Sequence, residues 1–495
     1  MNRKMWIIGV LMLNTLWIAA QDEAQMVENT IKKSTIKGHI YFLASDELAG
    51  RETGTQGIDV AAKYIATTLQ RYGVAPVEGA DEGYFQNVPL VKNVEPEAYS
   101  LQIGDEAINA QDLLRIEGSG VEIRSDYVFL NYGTEKDFNN KELDGKIAVV
   151  LAGQKDNQDY RFVYQASSKK SNLAKEAGAK GLIELHTDNP DNWKTFKSFM
   201  GGGSSIGFAS QHDESSFFKL WVNDESKQWL DKIDSKKKPE LTVDIGEAMQ
   251  LALPSKNVVG MVEGTDPKLK DEFIIYSAHY DHLGIGKPNA AGDSIYNGAR
   301  DNAVGVVTVM SAAESIAKNP TKRSALFILF TAEEKGLLGS KYYVENPLLP
   351  LDQMVYCFNS DNGGYNDTSL ATIIGLERTT AGKHIKKASE AFGLQAIDDP
   401  AGEQGLFDRS DNVNFARKGI PAPTFSLGFT AFDAEIGKYY HQQSDNPESI
   451  DYDYMEKFFR AFVLSARLIA NDEETPFWTK GDKYYEAGKS LYENK

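Results

Sequence analysis

The run Phe273-Ile274-Ile275-Tyr276-Ser277-Ala278-His279-Tyr280-Asp281 decides how this chain is read. An apolar stretch of buried-strand type ends on a histidine and a carboxylate. The same pattern recurs downstream. Ala325 to Phe330 runs into Thr331-Ala332-Glu333-Glu334, and Met354 to Phe358 runs into Asn359-Ser360-Asp361. Val304 to Ala317 has helical spacing between the first two runs, so strands and helices alternate from Asn257 onward. That order predicts an α/β domain with a mostly parallel central sheet flanked by helices. Met455, Phe458, Phe459, Phe462, Val463 and Ala466 form the apolar stripe of a closing amphipathic helix.

Working outward, Thr35 to Leu48 is helical in pattern, and Val60, Ala61, Tyr64, Ile65 and Leu69 recur at helical spacing before Gly73 and Pro76. These read as outer helices of the same domain; Arg51 and Glu52 either touch the active site or, the preferred reading, form a structural ion pair. From about Lys92 to Gln250 the chain turns to short alternating strands, such as Tyr127 to Leu130 and Ile147 to Leu151. This stretch reads as a smaller β-rich domain inserted into the first. The expected division is a signal peptide over 1–20, a catalytic domain split between 27–91 and 251–475, an insert over 92–250 and a tail over 476–495.

Composition narrows the function classes. A chain of 495 residues, 41% hydrophobic and 25% charged, is that of a globular protein of two domains. A formal charge of -18 argues against nucleic acid and against anionic lipid as partners. Arg3 and Lys4, the apolar Met5 to Leu13 and the small Ala19-Ala20 have the layout of an export signal, which points to a secreted or periplasmic protein with no stable membrane insertion after cleavage; an uncleaved anchor helix is the alternative. The single cysteine, Cys357, rules out an internal disulfide and sits in an apolar run, where an inert buried thiol is expected.

In open parallel sheets, sites form beyond the carboxyl ends of the strands. His279, Glu333-Glu334 and Asp361 each follow a strand, Asp301 opens a helix, and Tyr439-Tyr440-His441 adds a second histidine. Zinc takes imidazole and carboxylate ligands, and two-metal hydrolases hold their ions about 3.5–4 Å apart. Asp301 is the expected bridge; His279 and Asp361 complete one Zn2+ site, Glu334 and His441 the other. Three carboxylates against two dications leave one positive charge, which a bridging hydroxide cancels. Glu333, pointing away from its neighbour, remains free as general base. Asp281 is expected to accept a hydrogen bond from the His279 ring, and Tyr440 to donate to the oxyanion. His282 is close enough to compete with His279 as a ligand, but the Asp281 pairing favours His279, which leaves His282 as a pocket wall or structural group. Arg409 and Asp411 are candidates for binding a substrate terminus or for an ion pair behind the site. Cobalt or manganese would suit the same ligands.

The ordered set His279-x-Asp281, Asp301-Asn302, Glu333-Glu334, Asp361 and Tyr440-His441 resembles peptidase family M28. Ala44-Ser45-Asp46-Glu47-Leu48-x-Gly50-Arg51 and Gly419-Ile420-Pro421-Ala422 are similar to stretches of that family as well. Leu143-Asp144-Gly145-Lys146-Ile147 and Ala177-Gly178-Ala179-Lys180-Gly181 resemble the protease-associated domain that many members carry. The resemblance implies a dizinc aminopeptidase acting on peptides and a cis bond between Asp301 and Asn302. Asn412 and Asn414 stand where many relatives have histidine and proline. Three rivals remain on the residues alone. A carboxypeptidase or dipeptidase would use Arg300 or Arg409 for a substrate carboxylate, a glutaminyl cyclase would use one zinc, and a non-catalytic binding ectodomain would use none.

Overall fold

The computed structural model describes residues 22–157, 159–187, 190–200, 204–209, 217–236 and 238–493. The expected export signal at 1–20 lies outside them. The chain divides into two units, Met1–Pro89 with Pro254–Lys495, and Leu90–Leu253.

The three apolar runs read as buried strands become strands. The main sheet contains β1 (Phe85–Val94), β2 (Met249–Val262), β3 (Phe273–His279), β4 (Ser324–Phe330), β5 (Met354–Ser360), β6 (Leu370–Ile374), β7 (Gln395–Ile397) and β8 (Thr424–Leu427), of which β1 and β2 continue along the chain into the second unit. Their order in the sheet is β1-β2-β4-β3-β5-β8-β6-β7. The centre, β4-β3-β5-β8, is parallel. The next strand on each side, β2 and β6, pairs antiparallel, so the sheet is mixed.

β3, β4 and β5 are buried along their whole length, which is why they read as continuous apolar runs rather than alternating ones. Ile274, Tyr276, Ala278, Phe327 and Leu329 share one core with helices α1 (Lys33–Leu43), α2 (Gln56–Tyr72), α3 (Gly305–Lys318) and, later, the long closing helix. Phe273, Ile275, Leu326, Ile328 and Phe330 share the opposite core with α4 (Leu338–Glu345) and α5 (Asn412–Arg417). Residue parity along each strand thus assigns each side chain to a layer.

The closing helix α6 (Tyr452–Asn471) starts at Asp451, whose side chain accepts from the backbone N–H groups of Asp453 and Tyr454. Its Phe462 stacks on Phe358 of β5 at 4.4 Å between ring centroids. α2 ends at Gly73, whose φ of 87° is the left-handed turn that terminates a helix at little steric cost. The segment expected as a tail is anchored instead. Trp478 is buried, and its indole N–H donates to the Gly419 carbonyl at 2.8 Å. Cys357 is buried in β5.

The second unit has two sheets. Leu113–Glu117, Phe218–Asn223, Gly181–His186, Ile147–Leu151 and Tyr127–Phe129 form one, parallel except for its first pair. Glu106–Ala107, Tyr99–Ile103, Leu241–Ile245 and Val121–Ser125 form an antiparallel one. Val149, Ile183 and Leu220 from the first sheet and Leu101, Val243 and Val121 from the second meet in one core. Among the described residues, no helix in the chain is long and apolar enough to cross a membrane.

Candidate metal centre

The parallel strands β3, β4 and β5 all end on the same edge, and each delivers its acid or imidazole there. His279 is the last residue of β3. Glu333 and Glu334 follow β4, after Ala332 at a φ of 55°. Asp361 follows β5. Asp301 lies in the irregular turn Ala299–Val304 that leads into α3, and the peptide bond after it is cis. His441 has a φ of 55°, so the backbone is held in an uncommon conformation at a candidate ligand.

Asp301 stands between two sets of side chains. Its Oδ1 is 3.3 Å from His279 Nε2, which is also 3.2 Å from Asp361 Oδ1. Its Oδ2 is 3.2 Å from His441 Nε2, which is also 3.4 Å from Glu334 Oε2. His279, Glu333 and Asp361 form one cluster of ligand atoms all within 4.8 Å of one another, and His282, Asp301 and Glu334 form a second. Four carboxylates and two or three imidazoles converge here, the nitrogen and oxygen donors that borderline divalent metals prefer. The residues fit such a metal.

The proton affinities report the crowding. Burial raises Glu334, as does Asp301, but hydrogen bonds from His282 and His441 outweigh both and hold it down at about 2. Asp301 is pulled well below the usual range in spite of burial, by His279 and His441. Burial opposes charge on His441, yet Asp301 and Glu334 lift it to about 10. Glu333 goes the other way. Burial first, then Asp361, Asp411 and Glu334, push it well above an ordinary glutamate against the pull of His279. The two adjacent glutamates therefore differ sharply in proton affinity.

The centre opens into a cleft of about 350 Å³ in the first unit. Ile374, Leu406, Phe429, Phe432 and Ile436 supply an apolar wall, and Arg409 and Tyr440 lie on it too. The Tyr440 ring stacks on His441 at 4.1 Å, and its hydroxyl accepts from Arg409 Nη2 at 3.3 Å.

Residues 257–466 match the family model described as peptidase family M28. These residues belong to peptidase family M28. The chain is accordingly a metallopeptidase, a hydrolase of peptide bonds. The chain is similar to a "probable leucine aminopeptidase 2" of Aspergillus oryzae, 23% identical over 449 residues that cover 85% of this chain and 80% of that protein. It is similar to aminopeptidase YwaD of Bacillus subtilis, 27% identical over 210 residues that cover 41% of this chain and 42% of that protein. Among solved structures, an aminopeptidase from Aneurinibacillus sp. strain AM-1 has the same fold, with a TM-score of 0.57 at 21% identity. That match covers 91% of this chain and 97% of the other.

Several expectations for this M28 peptidase need correcting. The Asp281 carboxylate is 3.8 Å from His279 Nδ1, whereas the Asp281 backbone carbonyl is 3.2 Å away and takes that role. The carboxylate accepts the backbone N–H groups of Glu333 and Glu334 instead, at 3.0 and 3.3 Å. Asp411 does not line the cleft. It is fully buried, bonded to the Ser340 hydroxyl, and burial lifts it to about 7. His282 is likewise buried and off the cleft. Asn412 and Asn414 are tied to backbone and to Ser340: Asn412 to the Phe407 and Ala422 carbonyls, Asn414 to the Leu337 carbonyl and the Ser340 hydroxyl. Arg300 is buried against Asp445 and Ser449, so of the two arginines considered for substrate only Arg409 reaches the cleft.

Arg51 makes no pair with Glu52, which binds Lys335 at 3.0 Å. The buried Arg51 guanidinium donates to the carbonyls of Tyr280, Leu43, Asn297 and Gly298, and so braces the chain next to Asp281 and Asp301. Asp445 escaped the sequence reading altogether. Its carboxylate accepts the backbone N–H groups of Arg300 at 2.9 Å and Asp301 at 3.1 Å. The available signal was an acid four residues after His441.

Proposed function

We propose that this M28 peptidase is an aminopeptidase that works with two zinc ions. The observation that carries the reading is the division of Asp301, one oxygen toward His279 and Asp361 and the other toward His441 and Glu334. Those five side chains would hold the ions. Bound zinc supplies Lewis-acid polarisation of the scissile carbonyl and an acidified water.

Glu333 takes the proton from the attacking water and returns it to the leaving amine. Its raised proton affinity suits both halves of that task. The Tyr440 hydroxyl, its oxygen already accepting from Arg409, keeps its own O–H free to donate to the oxyanion. The wall of Ile374, Leu406, Phe429, Phe432 and Ile436 supports a preference for large apolar N-terminal residues, in line with the names of the relatives. The segment 1–20 supports export to a secreted or periplasmic location. The Leu90–Leu253 unit is proposed to be the protease-associated-like insert.

The test is hydrolysis of free and N-acetylated aminoacyl-nitroanilides before and after chelation, with metal content measured alongside. Cleavage of free substrates only, lost on chelation and restored by zinc, is the expected result. Equal cleavage of the acetylated series would sink the aminopeptidase reading.

A second reading, a carboxypeptidase or dipeptidase, has one observation in its favour. Arg409 lines the cleft and forms no ion pair among the described residues. Faster cleavage of dipeptides with a free carboxylate than of their amides would favour it.

A further inference from the structure

We propose that His282 is the positioning residue of the second ion site: it holds one carboxylate oxygen of Glu334 so that the other faces the metal. This rests on the two-zinc reading above.

His282 Nδ1 lies 2.7 Å from Glu334 Oε1. At that distance from an ionised carboxylate the ring nitrogen must donate, and the bond is charge-assisted. Glu334 Oε2 is left facing His441 Nε2, the same nitrogen that meets Asp301 Oδ2. The imidazole thus occupies one oxygen of the ligand and leaves the other for the ion. Glutamate has three rotatable side-chain bonds, and fixing the far oxygen removes most of the orientations in which Oε2 would miss.

The ring is held through its backbone and by packing, its Nε2 being buried with no hydrogen-bond partner among the described residues. The His282 backbone N–H donates to the Arg51 carbonyl at 3.2 Å. Its face packs on Gly298, where a Cβ would come within 2.6 Å of the ring and where φ is 58°. A side chain at 298 would push the ring off Glu334. The ring does not line the cleft, so it acts through Glu334 rather than on substrate. Together with Asp281, which holds the Glu334 backbone N–H at 3.3 Å, it fixes the ligand at both ends. The run His279-Tyr280-Asp281-His282 therefore carries one ligand, one clamp on the backbone of the other site's ligand and one clamp on its carboxylate.

His282 also sits within ligand distance of Asp301 and Glu334, so direct coordination is the competing role. Two substitutions separate them. His282→Asn keeps an N–H near the position of Nδ1, whereas His282→Gln places its amide beyond it; both are polar and of similar size. Metal-free wild type and both variants are titrated with zinc against a chromophoric chelator, and two dissociation constants are read for each, with thermal melts as a control for folding. His282→Gln is expected to weaken one of the two constants by roughly 10–100-fold and leave the other unchanged, as for other residues that orient a metal ligand. His282→Asn is expected to stay within a few-fold of wild type.

Unchanged constants in His282→Gln overturn the proposal. So does a loss in His282→Asn as large as in His282→Gln, which marks His282 as a ligand. Wild type that binds fewer than two zinc ions overturns the two-ion reading itself and takes this assignment with it.

Discussion

Asp281 Oδ1 accepts the backbone N–H of Glu333 at 3.0 Å, and its Oδ2 accepts that of Glu334 at 3.3 Å. Asp445 does the same for Arg300 and Asp301. Two buried carboxylates, neither of them a proposed ligand, thus fix the backbone of the two loops that carry the proposed base, bridge and second-site ligand. Asp281→Asn keeps the shape but offers one acceptor oxygen in place of two, so one buried N–H loses its partner. The expected cost is about 1–3 kcal/mol of stability, read as a lower urea midpoint, together with weaker retention of zinc during dialysis. Unchanged zinc retention would show that the loop holds its shape without this clamp.

Glu333→Gln removes the proposed proton carrier and leaves the side chain's size. kcat should fall by about 10²–10⁴-fold, with zinc per chain unchanged. Loss of zinc in this variant would move Glu333 from base to ligand, in keeping with its place beside His279 and Asp361.

Tyr440→Phe keeps the ring stacked on His441 and deletes the hydroxyl. A loss of about 10²-fold in kcat, with KM and zinc content little changed, is expected. A change confined to KM would place the hydroxyl on the ground-state substrate.

His39 predicts an acid weakness away from the active site. It is buried between the Tyr64 and Tyr72 hydroxyls, at 2.7 and 2.9 Å, and burial, helped by Arg71, lowers it to about 4. Unfolded, it titrates near 6.5. Below that value the unfolded state takes up a proton that the folded state refuses, so stability is full above about pH 6.5 and is lost as pH falls toward 4. The full effect is about 3 kcal/mol. His39→Gln should flatten the decline of the urea midpoint between pH 7 and 4.5; an unchanged slope would show that the carboxylates alone set it.

Cys357 is buried in β5, and burial pushes its thiol up to about 12. It should not react with an aromatic disulfide reagent in the native protein and should react once in denaturant. Prompt native labelling with loss of activity would contradict that.

Much of the site was legible because its chemistry follows strand ends. His279, Glu333, Glu334 and Asp361 each lie just past a continuous apolar run, and in a parallel sheet such positions share one edge. The opposite shifts in proton affinity of Glu333 and Glu334 were not legible there. They depend on Asp361, Asp411, His282 and His441, which reach the pair from other elements.

The sequence by itself determined the layers, since burial on both faces of a parallel strand demands uninterrupted apolar residues, and it determined which residue types stand at the strand ends. Only the tertiary structure decided what holds them. Asp281 turned from the ring of His279 to two backbone N–H groups, Arg51 from an ion pair to four carbonyls, and His282 from the pocket to Glu334. Asp411 passed from the pocket to the interior. A buried polar side chain bonds whichever unpaired group the fold brings within about 3 Å, and that neighbour can lie hundreds of residues away, where no local spacing records it.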